Sequence, residues 1–272
     1  MSTYETSIYV GHGAPTVAID PELKPYKSDL KKFGTKFSQA KSIVVVSAHW
    51  QDYFPIQVTS SKNPGIIYDF YGFPQEMYEL TYEFQGNPVL ANKIIAQLSS
   101  HGVNAQLNNN QGIDHGAWIP LREMYPTGNI PILQMSIPVP RTPDYLYKIG
   151  KILAPLREEG VMFMGSGNVI HNLQYVMYRV QEMGGLFANI PVESWAAETD
   201  GWLKERLDNL HIENLLSSPD KMPNFKRAAP TTEHFDPLYF ILGTLKEKEM
   251  INHFHESFQM GSISMRSFHS ES

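Results

Sequence analysis

The sequence contains no cysteine. That absence excludes a disulfide framework, a thiolate zinc site, an iron–sulfur cluster and a cysteine nucleophile. Charge is also scarce, at 18% of residues, and 22 Lys and Arg against 28 Asp and Glu leave a formal net charge of −6. The longest basic clusters are fragments such as Lys31-Lys32 and Lys226-Arg227. Phosphate binding needs a concentrated cationic surface, so no nucleic-acid partner is expected. No apolar run approaches the roughly 18 residues of a membrane span. The segment from Met1 to Ser7 has neither the basic nor the apolar region of a secretory signal. A cytoplasmic protein without a membrane partner is therefore expected. Internal repeats and linker-like stretches are missing as well. With 272 residues, 42% of them hydrophobic, one domain spanning 1–272 is the natural expectation.

Short apolar runs recur and end in Gly, Ser or His. Ser7 to Val10 runs into Gly11-His12-Gly13, and Ser42 to Val46 into Ser47-Ala48-His49-Trp50. Pro131 to Met135 and Val161 to Met164 behave alike, the latter entering Gly165-Ser166-Gly167-Asn168. Runs without alternation read as strands buried on both faces, the habit of a mostly parallel sheet covered by helices. Helical patterns lie between them, at Pro88 to Leu98, Pro143 to Leu156, Val192 to Leu210 and Asp236 to Leu245. Thr142 is expected to cap the second, and Asp236 the fourth with Pro237 at its first turn. Leu216 to Thr232 reads as a loop, and Ile263 to Phe268 as part of a late strand pair. The expected fold class is α/β: a single domain with a mixed, mostly parallel central sheet flanked by helices.

What the chain does have is ten histidines. Ligands in open α/β sheets bind outside the carboxyl ends of the strands. His12 and His49 follow strand-like runs there. His171 follows a third through the Gly-Ser-Gly-Asn turn, on the expected first turn of a helix. His115 in Asp114-His115-Gly116 and His234 in Glu233-His234-Phe235 sit beside turn or cap residues. Taken singly, each is more ordinarily a satisfied polar residue; five from five segments favour one site. Imidazole is the commonest ligand for zinc and non-haem iron and needs no thiolate beside it. His101 and His211 read as helix-end or surface residues, His269 as a residue of the tail, and His253 and His255 as neighbours on one strand face. Tyr68, Phe70, Tyr71 and Phe73 could wall a flat substrate or staple a loop, and Trp50 and Trp118 carry the same ambiguity. A zinc-dependent hydrolase and a non-catalytic zinc or aromatic-ligand binder remain open on the residues alone. The spacing of a Gly-x-Ser-x-Gly elbow is absent around Ser166, and so is His-Glu-x-x-His.

Six motifs in order carry a resemblance. They are Gly11 to Pro15, Ser47 to Trp50, Tyr68 to Pro74, Asp114 to Leu121, Gly165 to Leu173 and Glu233 to Leu238. The set resembles the class III extradiol ring-cleavage dioxygenases, in the branch that includes DOPA 4,5-dioxygenases. The resemblance runs from residue 8 to about residue 245. It implies one metal per chain, Fe(II) in active members and Zn(II) in some purified ones, with a small catecholic substrate and O₂. By motif, His12, His49 and His234 would be metal ligands. His171 would be the catalytic histidine and a fourth ligand without substrate, and His115 would contact substrate or oxygen, where it could hydrogen-bond developing negative charge. Tyr68, Phe70, Tyr71 and Trp118 would line the substrate. The wider family has a glutamate where this branch has His234. After Tyr82 this chain carries Glu83-Phe84-Gln85-Gly86 in place of the family's Pro-Ala-Pro-Gly.

Overall fold

Eight strands order as β4-β3-β5-β2-β6-β1-β10-β7 in the computed structural model, which describes residues 6–185 and 190–271. The strands are β1 (Ser7–Gly11), β2 (Ser42–Tyr53), β3 (Ile56–Thr59), β4 (Ala105–Asn108), β5 (Ile132–Val139), β6 (Val161–Gly167), β7 (Met250–His255) and β10 (Ser267–Glu271). A small hairpin, β8 (Phe258–Gln259) with β9 (Ile263–Ser264), stands apart. The central strands β5, β2, β6 and β1 are parallel, and antiparallel pairing enters through β3 on one side and β10 and β7 on the other. A mixed, mostly parallel sheet in a single α/β domain is thus what the uninterrupted apolar runs foretell.

Side chains alternate across a strand, so each central strand feeds two cores. Tyr9, Val44 and Val46 join one core with helices α2 (Pro88–Ser100), α4 (Pro143–Leu153), α6 (Ser194–Asp208) and α10 (Asp236–Thr244). Ile8, Val10, Ile43 and Val45 face the other, with α1 (Lys24–Lys36), α3 (His115–Met124) and α5 (Leu173–Met183). Gly34 shows how close the layers come, since a Cβ there would stand 2.0 Å from the Met124 carbonyl oxygen. Helix starts follow their caps: Asn87, Asp114, Thr142 and Asn172 each accept a backbone N–H of the first turn.

Several elements depart from expectation. The loop from Leu216 to Thr232 contains short helices, α8 (Ser218–Lys221) and α9 (Phe225–Ala228), after α7 (Ile212–Leu216). Asp236 is inside α10 rather than its cap: its carboxylate accepts from Arg141 Nε at 2.7 Å and from Thr232, and an ion pair outcompetes local capping. The helix from Pro143 gives way at Leu153 to a 3₁₀ stretch, Ala154–Glu159. The late strand is split: Ile263 and Ser264 pair with the small hairpin, whereas Ser267 onward joins the main sheet.

Candidate metal centre

β6 lies between β1 and β2, so the segments carrying His12 and His49 flank it. Ser166 stands level with Val10 on one side and Ser47 on the other. His12 leaves the end of β1 and is tied by its backbone N–H to the Gly167 carbonyl at 3.1 Å. His49 does not follow a strand end. β2 continues to Tyr53, and its register against β5 jumps from Val46 opposite Met135 to Gln51 opposite Ile137. The extra residues bulge out, and His49 is among them; bulges re-aim side chains in this way. Gly116 at the start of α3 leaves the space required, because a Cβ there would lie 2.9 Å from the His49 ring and 3.1 Å from the His12 ring.

His115 is the first residue of α3. His171 precedes α5, whose cap is Asn172, and is not on its first turn; its N–H goes instead to the Ala228 carbonyl at 2.7 Å. His234 lies in the turn before α10. The five imidazoles gather. The ring centroid of His12 is 5.0 Å from His49, 5.8 Å from His115 and 5.4 Å from His234. His49 is 4.1 Å from His115, and His171 stacks on His234 at 3.4 Å.

Hydrogen bonds decide which nitrogens are free. Ser166 Oγ donates its one proton to the Gly116 carbonyl, so it accepts from His12 Nδ1 at 2.9 Å. His12 therefore carries its proton on Nδ1 and a bare lone pair on Nε2. That Nε2 is 3.1 Å from Nε2 of His49. His234 has Nδ1 3.2 Å from Glu233 Oε1, while its Nε2 is buried without a partner. Two ligands about 2.0–2.1 Å from one cation, at angles between about 90° and 110°, stand roughly 2.8–3.4 Å apart. The His12–His49 spacing fits that, and the orphaned His234 nitrogen gives the third position. His12, His49 and His234 offer ligand atoms mutually within 4.8 Å, so the residues present fit a metal ion.

Burial holds these imidazoles neutral, as metal ligands must be. Desolvation, then the neighbouring histidines, pushes His12 and His234 well below the ordinary value. Burial and His115 take His49 down to about 3. Burial takes His171 to about 4, against the pull of Glu233. A buried neutral histidine binds fewer protons than the same residue unfolded, so its contribution is present above the unfolded value of about 6.5 and lost as pH falls below it. Asp114 and Asp236, both raised by burial to about 6, act oppositely, because they keep protons between about 4 and 6 that the unfolded chain has released. Four histidines outweigh two carboxyls. Metal-free protein is expected to lose stability steadily from pH 6.5 toward pH 4, at up to about 1.4 kcal/mol per pH unit for each unbalanced imidazole. Urea midpoints measured at pH 7.5 and 5.5 check this, and equal midpoints would refute it.

The aromatic residues divide. Phe70 is buried with its ring edge-on to His115 at 5.6 Å. Tyr68 lies behind it and donates to the Leu80 carbonyl at 2.6 Å. Trp118 is in the core and donates to the Ile67 carbonyl. Tyr71 is 87% exposed, so it faces solvent rather than an enclosed wall. His253 and His255 do not form a pair: His253 bridges Arg266 and Asp208, and His255 bridges Asp29 and Ser257.

Three polar residues were not anticipated. Ser166, read as a turn residue, sets the His12 tautomer. Asp114 accepts from Ser47 at 2.7 Å and from Gln134, locking the β2 bulge to the start of α3. Asp69, inside the aromatic run, is the third. A charge among aromatics was its signal, since half-buried carboxylates need partners.

Fold and site define a class: a single-domain α/β protein whose buried histidine cluster has the ligand geometry of a metal centre. Its particular family follows from comparison. Residues 7–267 match the catalytic LigB subunit of aromatic ring-opening dioxygenase, and the chain belongs to that family. It is similar to a 4,5-DOPA dioxygenase extradiol of Beta vulgaris, 36% identical over 96% of this chain and 95% of that one. The Escherichia coli K12 protein of the same name is 34% identical over 98% and 94%. An uncharacterized Escherichia coli K12 protein of known crystal structure superposes with a TM-score of 0.79 at 30% identity, covering 97% of this chain and 99% of that one. No helix among the described residues is long and apolar enough to cross a membrane.

Proposed function

We propose that this protein is a metal-dependent extradiol dioxygenase that opens a catecholic ring with O₂, with DOPA-like catechols as the substrate class. His12, His49 and His234 would hold the ion, one per chain. The observation that carries the reading is the convergence of three ring nitrogens: Nε2 of His12 and His49 at 3.1 Å, with His234 Nε2 buried and unpartnered nearby. Bound Fe(II) would supply Lewis acidity toward a catecholate and the redox capacity for its reaction with O₂. The products' balance is simple: one ring C–C bond beside a hydroxyl breaks, and both oxygen atoms enter the semialdehyde acid.

The chain's own residues do the rest. An imidazole nitrogen of His171 takes a proton from a substrate hydroxyl and later returns it. Burial takes its value to about 4, which keeps the ring neutral and a nitrogen lone pair free at neutral pH, at some cost in basicity. Phe70 backs a flat ring and keeps water from it. Names borne by relatives from a plant and a bacterium support DOPA as the first compound to try.

Iron-loaded protein is expected to consume O₂ with DOPA, protocatechuate or simple catechols and to form a yellow product, and zinc-loaded protein to bind the catechol without turnover. Zinc has a filled d shell and does no redox chemistry. Oxygen electrode and absorbance traces decide it. No uptake by fully iron-loaded protein across the panel would favour a hydrolase or a binding protein, and turnover with zinc alone would overturn the metal argument.

A further inference from the structure

We propose that Asp69 is a positioning residue that holds His115 with its proton on Nδ1, leaving Nε2 as an acceptor that orients a hydroxyl of the aromatic substrate. The orienting role rests on the ring-opening reading above; the tautomer does not. Asp69 Oδ1 accepts the backbone N–H of His115 at 2.8 Å. The same oxygen lies 3.0 Å from His115 Nδ1. That nitrogen is buried and meets the carboxylate outside hydrogen-bond geometry, so it has no hydrogen-bond partner and the carboxylate acts on it through proximity. An anion here is also favoured by position, because the free N–H groups opening α3 carry partial positive charge. Asp114 caps the same helix by accepting from Ala117 N–H at 3.1 Å, so the two carboxylates satisfy different donors.

A carboxylate 3.0 Å from Nδ1 favours the proton on that nitrogen, and the second nitrogen is then a lone pair. A carboxylate behind an imidazole fixes its tautomer in this way. A donor role for His115 toward developing negative charge would need the opposite tautomer. Asp69 Oδ2 is also 3.8 Å from Nδ1 of His49. One carboxylate therefore faces the rear of two rings, and Phe70, next in sequence, packs on the His115 ring. The competing arrangement is a cation held directly by Asp69, His49 and His115, whose ligand atoms also lie within 4.8 Å of one another.

The test uses zinc-loaded, ¹⁵N-labelled protein, with His115→Gln to assign the His115 ring signals. Long-range ¹H–¹⁵N spectra report the tautomer directly. The expected result is Nδ1–H in the wild type, shifting toward Nε2–H in Asp69→Ala with zinc content unchanged. Affinity of the zinc form for 4-nitrocatechol should fall about tenfold or more, and Asp69→Asn, which keeps an acceptor oxygen, should recover part of it. A wild-type proton on Nε2, or an unmoved tautomer in Asp69→Ala, overturns the proposal. Zinc lost in step with Asp69 overturns it in favour of the direct ligand. If Asp69→Ala fails to fold, the wild-type tautomer and Asp69→Asn still decide. Wild type that binds no catechol yet shows Nδ1–H would sink the ring-opening reading and leave the positioning of His115 standing.

Discussion

His234→Ala is expected to empty the metal centre. Wild-type protein should carry about one ion per chain, as a mononuclear facial site requires, and His12→Ala should behave like His234→Ala. The reasoning is geometric. His234 Nε2 is buried without a hydrogen-bond partner. An unsatisfied buried acceptor costs roughly 1–3 kcal/mol, and a bound cation removes that penalty. His12 adds a second prepared nitrogen, its tautomer fixed by Ser166 at 2.9 Å. Losing an outer-shell partner already costs about 10–100-fold in affinity, so losing a ligand should exceed that. His101→Ala is the control, since His101 is exposed and its ring bonds to Gln97 and Ser100, away from the cluster. Elemental analysis after dialysis reads the result. Full occupancy in both ligand variants would remove these residues from the site.

The legible parts of the molecule are those where one local signal dominates. Ile43 to Val46 is apolar at every position and is buried on both faces, so its place in a parallel sheet could be read directly. Thr142 before Pro143 marked a helix start that the structure keeps. Edge strands carried no such mark. β4, Ala105–Asn108, is half-exposed and polar, as an edge allows, and its residues resemble a loop. The β2 bulge was hidden for a related reason. Ser47-Ala48-His49-Trp50 interrupts the apolar run, and only pairing with β5 shows that the strand resumes.

The site divides similarly. Histidines beside glycine and serine stood out because imidazole is chemically specific. Their supporting groups did not, because their roles depend on distant partners. Asp69 meets His115 across 46 residues, and Ser166 meets His12 across 154. No local pattern encodes such meetings. Asp236 illustrates the converse: an Asp-Pro helix start is a sound local inference, yet Arg141, 95 residues away, claims the carboxylate.

His171→Phe is expected to keep most of the metal and lose most of the turnover. The His171 ring lies parallel to His234 at 3.4 Å between centroids, with planes 11° apart. Rings stacked face to face direct their in-plane lone pairs side by side rather than at each other. His171 therefore stands beside the ligand set without completing the close trio of His12, His49 and His234. Phenylalanine preserves the stack and the apolar volume while deleting the proton acceptor. The backbone anchor, His171 N–H to the Ala228 carbonyl, survives the change. General acid–base help is worth about 10²–10⁴-fold, so kcat should fall by that factor with iron content close to wild type. Catechol affinity of the zinc form should change little, because the lost group moves a proton rather than gripping the ring. Iron content, zinc-form affinity and kcat from one preparation separate the cases. Metal falling in parallel with kcat would make His171 an obligatory ligand. Near wild-type turnover would take it out of the mechanism and leave proton transfer to another group at the centre.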